Sequence, residues 1–303
     1  MTVEHPQTHW FADPAVLAPI ALMVVIYVRR FRQVRREAAA SGAGRREAAA
    51  SRGASAARGA TALHALVFGG AVVALLGALV TPVDGLGEDY LFSAHMFQHV
   101  LLGDIAPLLL LLSVSRVMLR PVTRRLMRLE RALGPFASPV TAIFVWLGTM
   151  YLWHIPALYD AALEHPLLHV LEHVSFFAAG IALWWPLVQP IPMRRSLTGL
   201  QPLAYIAAAK GGLAALGLVL AWSSSAHYPY YEDVPRIWGL TAVEDQNVAG
   251  VIMMVEQSLT LVIVMAWVFI RMLTQSEQDE LRRERLEEAQ VPASNVDVIS
   301  TGS

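Results

Sequence analysis

Residues 151–186 read YLWHIPALYDAALEHPLLHVLEHVSFFAAGIALWWP. From Pro166 an apolar run continues to Val188, long enough to cross a bilayer, which takes ~20 residues. Its Trp184-Trp185-Pro186 end suits a membrane–water interface. Its first half is less ordinary. Between Tyr151 and Phe177 stand four histidines and three carboxylates among leucine, tryptophan and phenylalanine. His165, His169 and His173 are spaced four apart, which places them on one slowly drifting helix face. Ionisable groups inside a membrane are costly and mark functional sites by default.

The same apolar signal recurs outside this stretch. Of 303 residues 55% are hydrophobic and 16% charged, against roughly 25% charged in soluble domains. The chain therefore reads as an all-α polytopic membrane protein. Seven spans are expected, at Pro14–Val28, Ala62–Val80, Tyr90–Leu112, Pro139–Tyr159, Pro166–Val188, Pro202–Trp222 and Asn247–Ile270. Acidic Glu4 and Asp13 precede the first and no small-residue cleavage site follows it, unlike a signal peptide. Residues 1–273 form one seven-helix domain in this reading. It contains a low-complexity loop at 29–61, built on a repeated RREAAAS. Residues 274–303 form a largely disordered tail in which SEQDELRRERLEEAQ is able to make a short charged helix.

Loop charges orient the bundle. Nine arginines fall between Arg29 and Arg58, six between Arg116 and Arg131, and more at Arg194, Arg195 and in the tail. The alternate loops carry Asp84, Glu88, Asp89, Asp160, Glu164, Glu232, Asp233, Glu244 and Asp245, with Arg236 alone against them. The positive-inside rule then puts the N-terminus outside and the C-terminus in the cytoplasm of a bacterial inner membrane. The net charge of −1 says little by itself, and no nucleic-acid partner is expected. Paired glycines at Gly69–Gly70 and Gly211–Gly212 permit close helix packing and so a homodimer.

In this orientation six histidines from three helices share the outer third of the membrane. His95 and His99 lie in the first turns of the third span, His154 in the last turn of the fourth, and His165, His169 and His173 in the first turns of the fifth. At ~1.5 Å per residue, His99 and His173 lie ~10–12 Å below the outer ends of their helices. Met150 shares the face of His154. The intervening IPALYDAALEHP fits a short interfacial helix from Pro156 that caps the cluster with Tyr159, Asp160 and Glu164. Imidazole suits copper, zinc and iron. In a chain without cysteine, histidine with methionine favours copper. Met96, Met150, Met253 and Met254 are weaker candidates at that depth. Glu172, Asp160 and Gln98 suit the role of acceptors that orient imidazoles. His64 and His227 read as simple hydrogen-bonding residues, while His5 and His9 sit where an ion would enter.

Three charges lie deeper. Lys210 stands in AAAKGGLAALG at mid-membrane, and Asp104 and Glu256 are at similar depth. Either carboxylate can pair with the lysine. A buried ion pair that fixes helix register and a proton path both remain open readings.

SAHMFQHVLLGDIAPLLLLL (93–112), the stretch quoted above and EDQNVAGVIMMV (244–255) together resemble the CtaG family of bacterial cytochrome c oxidase assembly factors, the seven-span type associated with caa-type oxidases. The resemblance covers about Ala62 to Leu273. It implies a non-enzymatic role in maturing haem–copper oxidase, with copper(I) handled for the catalytic subunit. The implied partners are that subunit and an extracytoplasmic copper donor. Carried over by motif, His95, His99, His154, His169 and His173 would hold the metal, with His165 and Asp160 in support. Two other readings of the histidines are a transmembrane b-type cytochrome with bis-histidine haem and a copper transporter.

Overall fold

The structure, a computed structural model, describes residue 10, residues 13–43 and residues 59–290. Every regular element among the described residues is helical. Six helices are long and apolar enough to cross a membrane, and a seventh span results if one bent pair is counted. The chain divides into two compact units, Met1–Leu259 and Thr260–Ser303. His5 and His9 lie outside the described residues, as do most of the low-complexity loop and the last thirteen residues of the tail.

Helix α1 (Pro14–Ala43) runs well past the expected end at Val28, so its first arginines are helical. Tyr27 on this helix donates to the carbonyls of His64 and Ser113, and Arg30 donates to those of Val117 and Met118. Helix α2 (Ala62–Leu79) begins at Thr61, whose hydroxyl accepts from the His64 backbone N–H. The His64 ring lies 2.6 Å from the same hydroxyl, the local hydrogen bonding expected of it. Thr61 thus serves as an N-cap. A short helix, α3 (Pro82–Asp89), follows with Thr81 as its cap.

The third span is one path with a change of winding. It comprises α4 (Phe92–Val100), a π-helical turn (Leu101–Ile105) and α5 (Ala106–Leu112). Pro107 has no N–H to offer the carbonyl of Gly103, so the ordinary ladder cannot pass through this point. A π-turn in mid-helix is rare and accompanies functional sites. The start of α4 lacks a cap from its own segment. Asp245, fully buried, supplies one by accepting from the N–H groups of Phe92 (2.7 Å) and Ser93 (3.1 Å).

The arginine-rich segment after Leu112 is not a loop. It is an amphipathic helix, α6 (Arg116–Leu133), capped by Ser115 and ended by Gly134 at φ 55°. An 80° bend separates it from α7 (Pro139–Trp153). Alternation of arginine with leucine and methionine at helical spacing is the signal that a count of loop charges overlooks.

The fourth span is shorter than expected. Helix α7 ends at Trp153 with His154 as its C-cap, and α8 (Pro156–Glu164) starts at Pro156 instead of extending the span to Tyr159. Fifteen residues of α7 cover ~22 Å. Proline at 156 disfavours helix at the residue before it, which forces the turn. Helix α9 (Pro166–Val188) follows, then α10 (Gln201–Ala221), a single turn α11 (Tyr230–Asp233) and α12 (Ala242–Gln290). The last helix is continuous through the charged stretch to Gln290, so the helix expected of SEQDELRRERLEEAQ extends the last span instead of standing as a short one of its own.

Two glycines set the spacing around the third span. A Cβ on Gly180 of α9 would stand 1.9 Å from the carbonyl oxygen of Gly103, the group that Pro107 leaves free. A Cβ on Gly87 of α3 would stand 2.9 Å from the backbone of His95. Both helices therefore lie directly against the strip of α4 and the π-turn. Of the paired glycines, Gly212 packs on Leu147 and Gly70 on Leu109, whereas Gly69 and Gly211 have nothing within 4 Å.

Candidate metal centre

The fold brings α4 and α9 together at one end of the bundle, and their histidines meet. One nitrogen or oxygen from each of His95, His169, His173 and Glu172 lies within 4.8 Å of the others. His99 adjoins this group, with its Nε2 2.7 Å from His95 Nε2 and 3.8 Å from Glu172 Oε1. The rings of His169 and His173 are 4.2 Å apart, centre to centre, and those of His99 and His173 are 5.4 Å apart. Phe176 and Tyr159 close the sides. His95 and Glu172 are essentially inaccessible, at 0% and 1% exposure.

Hydrogen bonding fixes which imidazole nitrogens face inward. Tyr231 Oη lies 2.6 Å from the carbonyl of Gly87. A carbonyl only accepts, so the hydroxyl proton points there. Burial pushes the Tyr231 hydroxyl well above its ordinary range, so it keeps that proton. The Tyr231 oxygen then accepts from His95 Nδ1, 3.1 Å away. Neutral His95 carries its proton on Nδ1 and turns the lone pair of Nε2 into the cluster. His169 follows the same logic: its Nδ1 lies 2.9 Å from the Glu88 carboxylate, leaving Nε2 buried with no partner. His154 donates from Nδ1 to the Met150 carbonyl at 2.7 Å, and its Nε2 is likewise buried and unpartnered. A carboxylate or carbonyl behind the distal N–H is the arrangement that orients metal-binding histidine.

Glu172 is the most telling group. Both of its oxygens are buried without a hydrogen-bond partner, as is Nε2 of His173. Burying a carboxylate with no compensating charge is strongly unfavourable. A cation held between it and the imidazoles would relieve that cost. The donor set of nitrogen and carboxylate oxygen suits copper or zinc. The inward lone pairs of His95 and His169, the unpartnered Nε2 of His173 and an orphaned carboxylate thus fit a metal ion on chemical grounds.

Other expected members fall elsewhere. His165 caps the junction of α8 and α9, exposed and outside the group. His154 is buried at the end of α7, where it lines a small cavity with His99, Met96, Met150 and Met253. Gln98 does not orient an imidazole, because its amide donates to the Ala78 carbonyl (3.0 Å) and closely to Asp84. Tyr159 caps the cluster as expected, its ring 5.3 Å from that of His95. Asp160 and Glu164 instead line an open cleft with Asp89 and Asp233, where burial pushes the Asp160 carboxyl above its ordinary range. Glu172 was expected to orient imidazoles, and it stands instead among the atoms that could themselves hold an ion.

Sequence reasoning missed Glu88 and Tyr231 as supports of the histidines. Both belong to segments that look like connecting loops, and nothing in their spacing links them to α4 or α9. The deeper charges do meet. Lys210 contacts Asp104 closely and lies 3.3 Å from Glu256, so the lysine pairs with both. Trp184 Nε1 donates to the other oxygen of Asp104 at 2.8 Å.

The chain is 24% identical over 216 residues to an uncharacterized protein of Mycobacterium leprae (strain TN), a match that covers 64% of this chain. The chain spans about a third of the length of that curated relative, 32% of which is matched. No solved structure matches it. Residues 25–275 match the cytochrome c oxidase caa3 assembly factor family, a region that includes α2 to α11 and every histidine of the cluster. The helical membrane fold, the buried histidine–carboxylate centre and this match over most of its length lead to one statement: the chain belongs to the cytochrome c oxidase caa3 assembly factor family, Caa3_CtaG.

Proposed function

We propose that the protein binds copper at the centre formed by His95, His169, His173 and Glu172 and hands it to the catalytic subunit of a haem–copper oxidase. The observation that carries this reading is Glu172, a buried carboxylate whose oxygens lack any hydrogen-bond partner and one of which lies within 4.8 Å of an imidazole nitrogen of each of three histidines. The ion is cargo, and the protein acts without turnover. With the arginine-rich ends in the cytoplasm, the centre opens toward the outer face of a bacterial inner membrane. Copper from an extracytoplasmic donor then reaches it without entering the cytoplasm. His169, partly exposed beside Glu88, is the natural first contact, and the buried His95 and Glu172 complete the shell.

A haem reading fits less well. The imidazoles crowd one another, with ring centres 4.2 to 6.3 Å apart. A macrocycle needs a slot of roughly 300 Å³ or more, and the cavity adjoining the cluster measures about 30 Å³. A transporter would need a polar path across the bilayer, and copper uptake into proteoliposomes tests for one.

The direct experiment measures metal by mass spectrometry in detergent-purified protein grown with copper. Wild type is expected to carry copper, and the variants Glu172→Gln and His169→Ala/His173→Ala are expected to lose it. Retention of copper by both folded variants would sink the assignment. Loss of oxidase copper, with haem retained, in cells that carry those variants would link the centre to delivery.

A further inference from the structure

Beside the histidine–carboxylate centre lies a second, small and partly open space with a different lining. It measures about 30 Å³, enough for a single small occupant such as one ion or one water. Three methionines border it from three helices: Met96 of α4, Met150 of α7 and Met253 of α12. All three are buried, at 1%, 5% and 4% exposure. Two imidazoles, His99 and His154, border it as well.

The imidazoles are short of partners. His154 spends its Nδ1 proton on the Met150 carbonyl, and Nε2 is left buried and unpaired at 8% residue exposure. His99 uses Nε2 toward His95 and Glu172, and its Nδ1 is buried and unpaired. A water in the cavity could serve the nitrogens, but it gains little from thioethers, which are weak acceptors. Thioether sulfur with neutral imidazole is instead the donor set of a soft monovalent ion. Asp104, Glu256 and Gln257 also line the cavity, and both carboxylates already pair with Lys210.

We infer that this cavity is a second metal site, selective for a soft monovalent ion such as copper(I) or silver(I), with ligands drawn from Met96, Met150, Met253 and His154 and with His99 standing between it and the outer centre. The identity of the ion rests on the copper-handling reading, whereas the thioether chemistry stands apart from it. The outer centre, with nitrogen and carboxylate donors, accepts borderline ions. The inner one favours a soft ion over zinc, because thioether sulfur adds little to zinc and the bordering carboxylates, Asp104 and Glu256, are engaged by Lys210. Copper in the inner site would be shielded from water and from re-oxidation by its sulfur ligands.

The test uses full-length protein in detergent, loaded with silver(I) or with copper(I) under reductant, and read by metal stoichiometry and X-ray absorption. About two ions per wild-type chain are expected, with sulfur scatterers in the average shell. The triple variant Met96→Leu/Met150→Leu/Met253→Leu preserves volume, so it should fold. It is expected to lose one ion and the sulfur signal while keeping nitrogen and oxygen scatterers. His154→Gln provides a second, independent loss. Zinc is expected to bind only once and to be indifferent to the methionine change. Unchanged stoichiometry in the triple variant, or no sulfur around the wild-type ion, overturns the inference and leaves water as the occupant. The two proposals fail separately. Loss of all metal in Glu172→Gln with none lost in the methionine variant rejects the inner site alone. Sulfur-bound metal that persists while Glu172→Gln changes nothing rejects the outer one alone.

Discussion

Replacing Gly180 by alanine adds one methyl group far from any histidine, yet it should empty the centre. The new Cβ would stand 1.9 Å from Gly103 O, 2.7 Å from Pro107 Cγ and 2.9 Å from Gly103 C. Two of these atoms are backbone and the third is a proline ring, so none can swing aside. Real Cβ atoms stay beyond 3.0 Å, so α9 must move about 1.1 Å from the π-turn. Overpacking of this kind costs roughly 1–3 kcal/mol, offset by at most about 1 kcal/mol from the better helix propensity of alanine. The functional effect is larger than the stability effect. Helix α9 carries His169, Glu172 and His173, whereas α4, continuous with the π-turn, carries His95. Ligands must hold their geometry to about 0.5 Å, so a shift of twice that breaks the set. Thermal unfolding in detergent and copper per chain, measured together, give the answer. Gly148→Ala is the control, because a Cβ there meets nothing within 4 Å. Equal melting temperature and equal copper in Gly180→Ala and Gly148→Ala would refute the claim that this contact sets the site.

Other outcomes follow from single contacts. Lys210→Met should destabilise the fold by about 3–5 kcal/mol by stranding two buried carboxylates, and adding Asp104→Asn should recover part of it; chemical denaturation of both variants decides. Tyr231→Phe removes the acceptor of the His95 Nδ1 proton, and copper affinity should fall roughly 10–100-fold in a competition titration while the protein stays folded. His165→Ala should keep full copper content, since that ring is exposed at a helix junction, and any loss of metal there would mean the cluster extends further outward than the contacts suggest. Asp245→Ala should lower stability by about 0.5–2 kcal/mol through loss of the α4 cap, read as a lower melting temperature.

The sequence by itself determined the helical class, the spans and the two histidine runs. Each depends on a local pattern: twenty apolar residues, or imidazoles four apart. Even the turn at Pro156 was legible, because proline acts on its immediate neighbour. The arginine helix α6 was legible in principle and was passed over, because its charges were read as topology and not as one face of a helix. What only the tertiary structure decided was which groups meet. Glu172, read from spacing as a helper, stands within reach of three imidazoles only because α9 turns it toward α4, where Gly180 packs against the carbonyl freed by Pro107. Gln98 turned away, His165 stayed at the surface, and Glu88 and Tyr231 arrived from segments that look like linkers. Lys210 took both carboxylates because the fold brings its ammonium to Asp104 of the π-turn and to Glu256 of α12. Spacing along one chain reports which residues share a face, since a helix repeats every few residues. It carries no record of how far that face is rotated toward its neighbours, which depends on close approaches between helices more than sixty residues apart.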